Sequence, residues 1–454
     1  MAEQVKEAYL WLSSVDLETE LRQLEDEGRD VSSVEQAFQR HIALGDDELW
    51  KSTNQQKAGE LLDRAQLLPM RRDYPFEEPS ELAAIKALRA EKTERAKLAL
   101  DDKDLQDKLL GAWLGRCAGC LLGKPVEGKR SEELWAFLKG TNQWPLSNYI
   151  RFDAKEVENA FPGFVALKPY DSVDHMPIDD DTDYTVLGFL IMSKKGASFS
   201  SADVARGWMR RIPLLRTYTA ERVAYRNFAL QIQPPVSASF RNPYREWIGA
   251  QIRADAYGYV CAGNPGRAAE FAWRDASVSH VKNGIYGEML MAAIIAAAGA
   301  CDDVTTLLEI GLSQIPKTSR LHAGIREVMG WHAEGLSYEE AIARIHRSWD
   351  EHSWHRWTHT ISNAMICVTA LLWGEGDFGQ SVCRAVQPGF DTDCNGATVG
   401  SITGMMLGAK RMPSSWTERL NNTLKTSLLG YESVDIEEIA RRTFDLCGSV
   451  SQSP

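Results

Sequence analysis

Residues 111–128 read GAWLGRCAGCLLGKPVEG, and within them Gly111, Gly115, Gly119 and Gly123 recur at every fourth position. That interval puts all four on one face of a helix. Glycine inside a helix costs roughly 1 kcal/mol against alanine, so a row of it calls for a reason, and the close approach of another backbone is one. The same device returns as Gly396, Gly400, Gly404 and Gly408. The two rows predict helices packed at very short range, and the charges and short apolar lengths around them rule out membrane pairing. Alternating strand patterns are scarce. From about residue 106 onward the chain is filled with small-residue and amphipathic helical stretches, so the expected fold class is all-α, a compact multi-helix bundle. Ser337 with Glu340 predicts a capping box for a helix through about Ser348, and Gly335 closes the helix before it.

Residues 1–105 have another texture and are expected to form an N-terminal helical extension, followed by a main domain over 106–445 and a short tail over 446–454. Leu17, Leu21 and Leu24 make one apolar stripe ended by Gly28; Val34, Phe38 and Ile42 make a second ended by Gly45. Ser32 with Glu35, or Ser33 with Gln36, offers a capping box for the second. Pro75 and Pro79 interrupt the extension before a charged helix expected over roughly 80–100. The first hundred residues hold 14 Lys/Arg against 21 Asp/Glu, more than half of the chain's net charge of −12. An extension of this kind is expected to pack, solvated, on the main domain.

The 454 residues are 44% hydrophobic and 25% charged, an ordinary composition for a globular protein. The negative balance argues against general nucleic-acid binding or attachment to anionic membranes. MAEQVKEAYL lacks the apolar centre of a signal peptide, and Met289–Cys301 is too short to span a bilayer and suits a buried helix. Eight scattered cysteines without a disulfide spacing fit a reducing cytoplasm, and Cys117-Ala118-Gly119-Cys120 reads as small buried residues.

Two aspartate clusters carry the chemical signal. Asp179-Asp180-Asp181-Thr182-Asp183 and Asp391-Thr392-Asp393-Cys394-Asn395 each run directly into an apolar or small-residue stretch, so each is expected where a helix begins. Capping accounts for one or two aspartates per cluster. Three consecutive carboxylates next to apolar sequence call for a countercharge, and a divalent cation held by Asp179, Asp180, Asp181, Asp391 and Asp393 supplies it. Oxygen donors favour a hard ion: Mg²⁺ first, with Mn²⁺ or Ca²⁺ as alternatives. An EF-hand is excluded, because counting from Asp179 puts Tyr184 at its glycine position and Leu190 at its glutamate. Asp183 reads as a cap. Trp354-His355-Arg356-Trp357-Thr358-His359 mixes aromatic and cationic side chains suited to stacking, but its spacing also suits a packed helix face, which is the reading adopted.

Over roughly residues 106–445 the chain resembles the ADP-ribosylglycohydrolase family. GAWLGRCAGCLLGKPVEG is similar to the family's first helix with its glycine, proline, glutamate ending; Asp179-Asp180-Asp181-Thr182 resembles the Thr/Ser-Asp-Asp-Thr metal motif; and Gly389-Phe390-Asp391-Thr392-Asp393-Cys394 resembles Gly-Asp-x-Asp-Thr. Gly249-Ala250-Gln251-Ile252-Arg253 and Ser279-His280 are weaker echoes of ligand-facing elements. Asp179 stands at the Thr/Ser position, Cys394 at the final threonine, and Cys120 where an aspartate is common.

The resemblance implies an all-helical bundle around a central pair of Mg²⁺ ions. It also implies hydrolysis of the bond between a ribose C1 and its attached group, in an ADP-ribosylated protein, a small ADP-ribosyl compound or a related riboside. Asp180, Asp393 and Glu127 are then the candidate catalytic residues, with Glu127 as base or metal-coupled gate. Gly249 and His280 are candidates for substrate contact, and Asn283 and Tyr286 join them from the same loop. Two other readings stand beside this one. The first is a relative that binds ADP-ribose or a nucleotide without cleaving it. The second is an all-helical isoprenoid synthase, suggested by Asp179-Asp180-x-x-Asp183 but opposed by the lack of a matching second motif.

Overall fold

The computed structural model describes residues 7–90, 101–152 and 160–451. It is all-α; the β-structure among the described residues is a two-stranded antiparallel ribbon, Thr423–Lys425 with Ser433–Asp435, and isolated bridges. The first glycine row lies in the helix Asp102–Gly123 and the second in Thr392–Leu407, except that Gly408 caps its end at φ 76°; the two helices form the most extensively packed pair among the described residues. A methyl group on Gly111, Gly115 or Gly119 would collide with the backbone of Gly404, Gly400 or Gly396 respectively, and the reverse substitutions collide likewise. One series rises as the other falls, so the helices run antiparallel. This places the start of the second helix, with its aspartates, beside the end of the first, where Lys124 and Glu127 follow. Thr392 seals the junction by donating its hydroxyl to the Gly123 carbonyl at 2.9 Å.

The helix Lys282–Ala298 is buried from Asn283 to its end, as its alanine-rich run predicts. Asp180–Lys195 packs against Asp255–Val260 and Ser201–Arg211, and Arg116 of the first glycine helix anchors its start. This fully buried guanidinium donates to the Asp181 carbonyl at 2.7 Å and the Ile252 carbonyl at 2.6 Å, and it pairs with Asp181 and Asp255. Ser337 and Glu340 form their capping box at the head of Tyr338–Ser348, and Gly335, at φ 79°, ends the preceding helix.

Residues 12–68 bury an apolar cluster of their own, which includes Leu17, Leu21, Leu24, Val34 and Phe38. The helix Ser14–Asp26 has a capping box of Ser13 with Asp16; neither box expected for Glu35–Ile42 forms. There the Val31 carbonyl accepts from the Val34 and Glu35 amides in a turn, which satisfies those donors without a side chain. The helix expected over 80–100 is a short one, Leu82–Ala87, and residues 91–100 lie outside the described residues. Several buried acidic side chains of this segment meet cations of the main body. Arg245 is buried between Glu20 at 2.6 Å and Glu27 at 2.7 Å, Arg222 meets Asp16 at 2.7 Å, and Arg320 joins Glu78 to Glu246. At the other end, the residues expected as a tail from 446 continue the helix Ile436–Ser451, with Cys447 and Val450 in the core. All eight cysteines are free thiols, and no described helix is long and apolar enough to cross a membrane.

Candidate functional site

The two aspartate clusters meet. Asp179 is the N-cap of Asp180–Lys195, with one carboxylate oxygen accepting from the Asp181 amide at 2.9 Å and the other paired to Lys124 at 2.6 Å. Asp391 is the N-cap residue of Thr392–Leu407. It is delivered by two successive residues with left-handed backbone, Gly389 at φ 81° and the buried Phe390 at φ 59°, a strained conformation for a phenylalanine. Its amide donates to Asn363 Oδ1, which also accepts from Asn395, so one amide oxygen from a third helix fixes this start.

Three side-chain groups with potential ligand atoms within 4.8 Å of one another result: Glu127 with Asp391 and Asp393, Asp181 with Asp393 and Cys394, and Cys120 with Asp179 and Asp181. Lys124 and Arg116 compensate Asp179 and Asp181; among the described residues no lysine or arginine forms an ion pair with Asp180, Asp391 or Asp393. The consequence is visible in the acidities. Burial and the neighbouring carboxylates push Asp180, Asp181 and Asp391 well above the usual range, and push Asp393 to about 6. Glu127 is open to solvent and is raised chiefly by Asp393. Asp183 is raised to about 6 by burial, against the hydrogen bonds from the Ser427 amide and hydroxyl that hold it.

Whether a cation suits these residues can be judged from atoms left without a partner. Asp181 Oδ2 and Asp393 Oδ1 are buried and accept no hydrogen bond, and both residues belong to the same group with Cys394. Buried, unpaired carboxylate oxygens facing like charges are what a divalent ion resolves, so the residues fit one. The Cys394 thiol is held in its neutral form by burial and the surrounding aspartates, which leaves the oxygens as the matching donors for a hard ion.

Above the carboxylates opens a cavity of about 460 Å³. Asp179, Asp180, Asp391, Asp393, Glu127 and Gly249 line it, whereas Asp181 lies beneath, fully buried. His280, Asn283 and Tyr286 do not reach it. His280 is buried and bonded to Ser279; Asn283 spends its amide on Glu78, Glu246 and the Leu321 amide; Tyr286 donates to the Pro79 carbonyl. The expectation of substrate contact at these three is corrected accordingly: none of them lines the cavity, and the polar atoms of Asn283 and Tyr286 are used in the core and against the N-terminal segment.

Sequence reasoning missed several wall residues. Lys124, Arg216, Tyr218, Glu221 and Trp247 line the cavity, and so do Trp354 and Trp357, which had been assigned to packing. The pair divides: Trp357 is packed, at 4% exposed, while Trp354 is 52% exposed, and the Arg130 guanidinium lies against both rings, 5.3 and 4.8 Å from their respective centres. Lys124 had a legible signal, a cation placed directly after the last glycine of the first row.

No curated protein matches the chain. A solved structure titled "ADP-ribosylglycohydrolase-related protein complex" is similar at 19% identity and a TM-score of 0.45, over 77% of this chain and 99% of that one. The ADP-ribosylglycohydrolase family model matches residues 101–452, the stretch that begins one residue before the first glycine helix and takes in both aspartate clusters. By that match the chain belongs to the ADP-ribosylglycohydrolase family, hydrolases that depend on a metal and act on ADP-ribosylated substrates.

Proposed function

We propose that this cavity hydrolyses the C1 glycosidic bond of an ADP-ribosylated substrate or a related riboside, with Mg²⁺ as the resident ion and two positions for it. The observation that supports this reading best is the pair of unpartnered buried oxygens on Asp181 and Asp393, next to the solvent-open carboxylate of Glu127. A bound divalent cation supplies countercharge and polarises water and hydroxyl groups. The remaining work falls to the chain. Asp180, Asp181, Asp391 and Asp393 would hold the ion from two helix starts, and Lys124 fixes Asp179 so that the first cluster keeps its shape. Glu127, within 4.8 Å of potential ligand atoms of Asp391 and Asp393, is placed to take the proton of an attacking water as positive charge builds on the ribose ring. Trp247, Trp354 and Trp357 offer apolar faces to the rest of the substrate.

The test is a release assay on ADP-ribosyl-arginine, ADP-ribosyl-serine, poly(ADP-ribose) and simple N-ribosides, with Mg²⁺ and after chelation. Release from at least one substrate that stops on chelation and returns with Mg²⁺ is expected. Tight ADP-ribose binding with no release from any of them would instead describe a binding relative.

Cys394 provides a second prediction. It supplies a thiol where an oxygen would suit a hard ion, so Cys394→Thr is expected to tighten Mg²⁺ binding several-fold in calorimetry. An unchanged or weaker affinity would show that this side chain does not face the ion.

A further inference from the structure

The family match begins at residue 101, yet the segment before it reaches the wall of the cavity from behind. Trp247, 3% exposed and part of that wall, donates its indole N–H to His355 Nδ1 at 3.0 Å, and His355 Nε2 meets Asp26 Oδ2 at 2.9 Å. Asp26 is the last residue of the helix Ser14–Asp26. A second strut comes from the same helix: Asp16 accepts from the Tyr244 hydroxyl at 2.6 Å, and the Tyr244 ring stands edge-on to Trp247 with centres 4.7 Å apart. Backbone pairing carries the arrangement across the cavity wall, since Ile248 donates to the Thr358 carbonyl at 2.9 Å, next to Trp357.

Asp26, His355 and His359 lie close enough together to resemble a metal site, and the spacing of the two histidines, four residues apart in sequence, invites that reading. The hydrogen bonds assign a different role. His355 Nδ1 accepts from Trp247 and His359 Nδ1 accepts from the Ile361 amide, so each neutral ring carries its proton on Nε2, the atom a metal would need bare. His355 thus relays the Trp247 donor to Asp26, whereas His359 Nε2 meets no hydrogen-bond partner among the described residues and stands outside the chain.

We propose that the N-terminal helical segment sets the position of Trp247 in the substrate cavity through the chain Asp26–His355–Trp247, making Asp26 and His355 positioning residues for substrate engagement. Its functional half rests on the cavity being the site of ADP-ribosyl hydrolysis. Removing the Asp26 acceptor frees His355 to turn, which releases the indole and lets the wall relax. An amide in place of the carboxylate still accepts from Nε2–H and preserves the chain.

The experiment compares Asp26→Ala and His355→Phe with Asp26→Asn and with Asp63→Ala. Asp63 belongs to the same segment and pairs with Arg241, but it is not part of the relay. The ¹⁵N–¹H indole signal of Trp247, identified by its loss in Trp247→Phe, reports the wall directly, and calorimetry with ADP-ribose and Mg²⁺ reports engagement. Asp26→Ala and His355→Phe are expected to shift the indole signal, speed its exchange with water, and weaken ADP-ribose about fivefold to tenfold. In turnover the loss falls on KM, with kcat within about twofold of wild type. Asp26→Asn and Asp63→Ala are expected to stay near wild type in all readouts. An unmoved indole signal in Asp26→Ala overturns the coupling, and a moved signal with unchanged affinity overturns its role in engagement. Equal effects from Asp63→Ala replace it with general loosening of the segment. Wild-type protein that binds no ADP-ribose removes the functional reading, and the indole signal alone then decides the coupling.

Discussion

Asp391→Asn is expected to abolish tight Mg²⁺ binding and to reduce turnover by more than about a hundredfold, a larger loss than supporting residues around a metal usually give. The substitution keeps volume and removes charge. Asp391 stands at a helix start held in place by Asn363 and by the left-handed pair Gly389 and Phe390, so an asparagine there occupies the same space with one anionic oxygen fewer. The control is in the stability. Burial and the charges of Asp393 and Glu127 disfavour ionised Asp391, so neutralising it relieves repulsion in the metal-free protein. Metal-free Asp391→Asn should therefore melt no lower than wild type, while the rise in Tm that Mg²⁺ gives the wild type disappears. Asp180→Asn is expected to behave in the same way, since Asp180 also has no cationic partner among the described residues. Unchanged calorimetric Mg²⁺ affinity in both variants would sink the divided site.

How much of this was legible in the sequence depended on whether a local pattern had one physical solution. The glycine rows did: no side chain on one helix face at four-residue spacing means another backbone on that face, and the structure pairs the two rows with each other. Their relative direction was not legible, because spacing is the same read either way, and it is the antiparallel direction that brings Glu127 to Asp391 and Asp393. The aspartate clusters were readable as helix starts since carboxylates favour that end of the dipole. Asn283 and Tyr286 were out of reach for the opposite reason. An amide or a phenol serves equally well in a ligand site or in a buried network, and here Glu78, Glu246 and the Pro79 carbonyl, distant in sequence, claim them. The excess of acid before residue 100 was plain, but its use was not, as the arginines it meets, Arg222, Arg245 and Arg320, are dispersed over the main body.

Gly119→Ala is the substitution expected to do most damage to the fold for the fewest atoms. An added methyl would lie closer to the Gly396 carbonyl than any real side-chain carbon approaches a neighbour, and the obstacle is backbone, which has no rotamer to change. Relief requires the two glycine helices to separate along their length, against the paired contacts at Gly115 and Gly123, so the cost is expected at about 3 kcal/mol or more, the upper range for overpacking. The damage also reaches the chemistry. The same helix pair sets the distance from Glu127, just past the end of one helix, to Asp393, in the first turn of the other, so residual folded protein should bind Mg²⁺ more weakly as well. Gly330→Ala is the matched control: Gly330 sits inside the helix Arg320–Ala333 with open space around it, and alanine there should add about 0.5–1 kcal/mol through helix propensity alone. Thermal melts of the two variants should move in opposite directions, Gly119→Ala downward by several degrees or to no soluble protein, Gly330→Ala slightly upward. A Gly119→Ala protein that melts with the wild type would mean that the glycine row is not what brings these helices, and with them the two halves of the site, together.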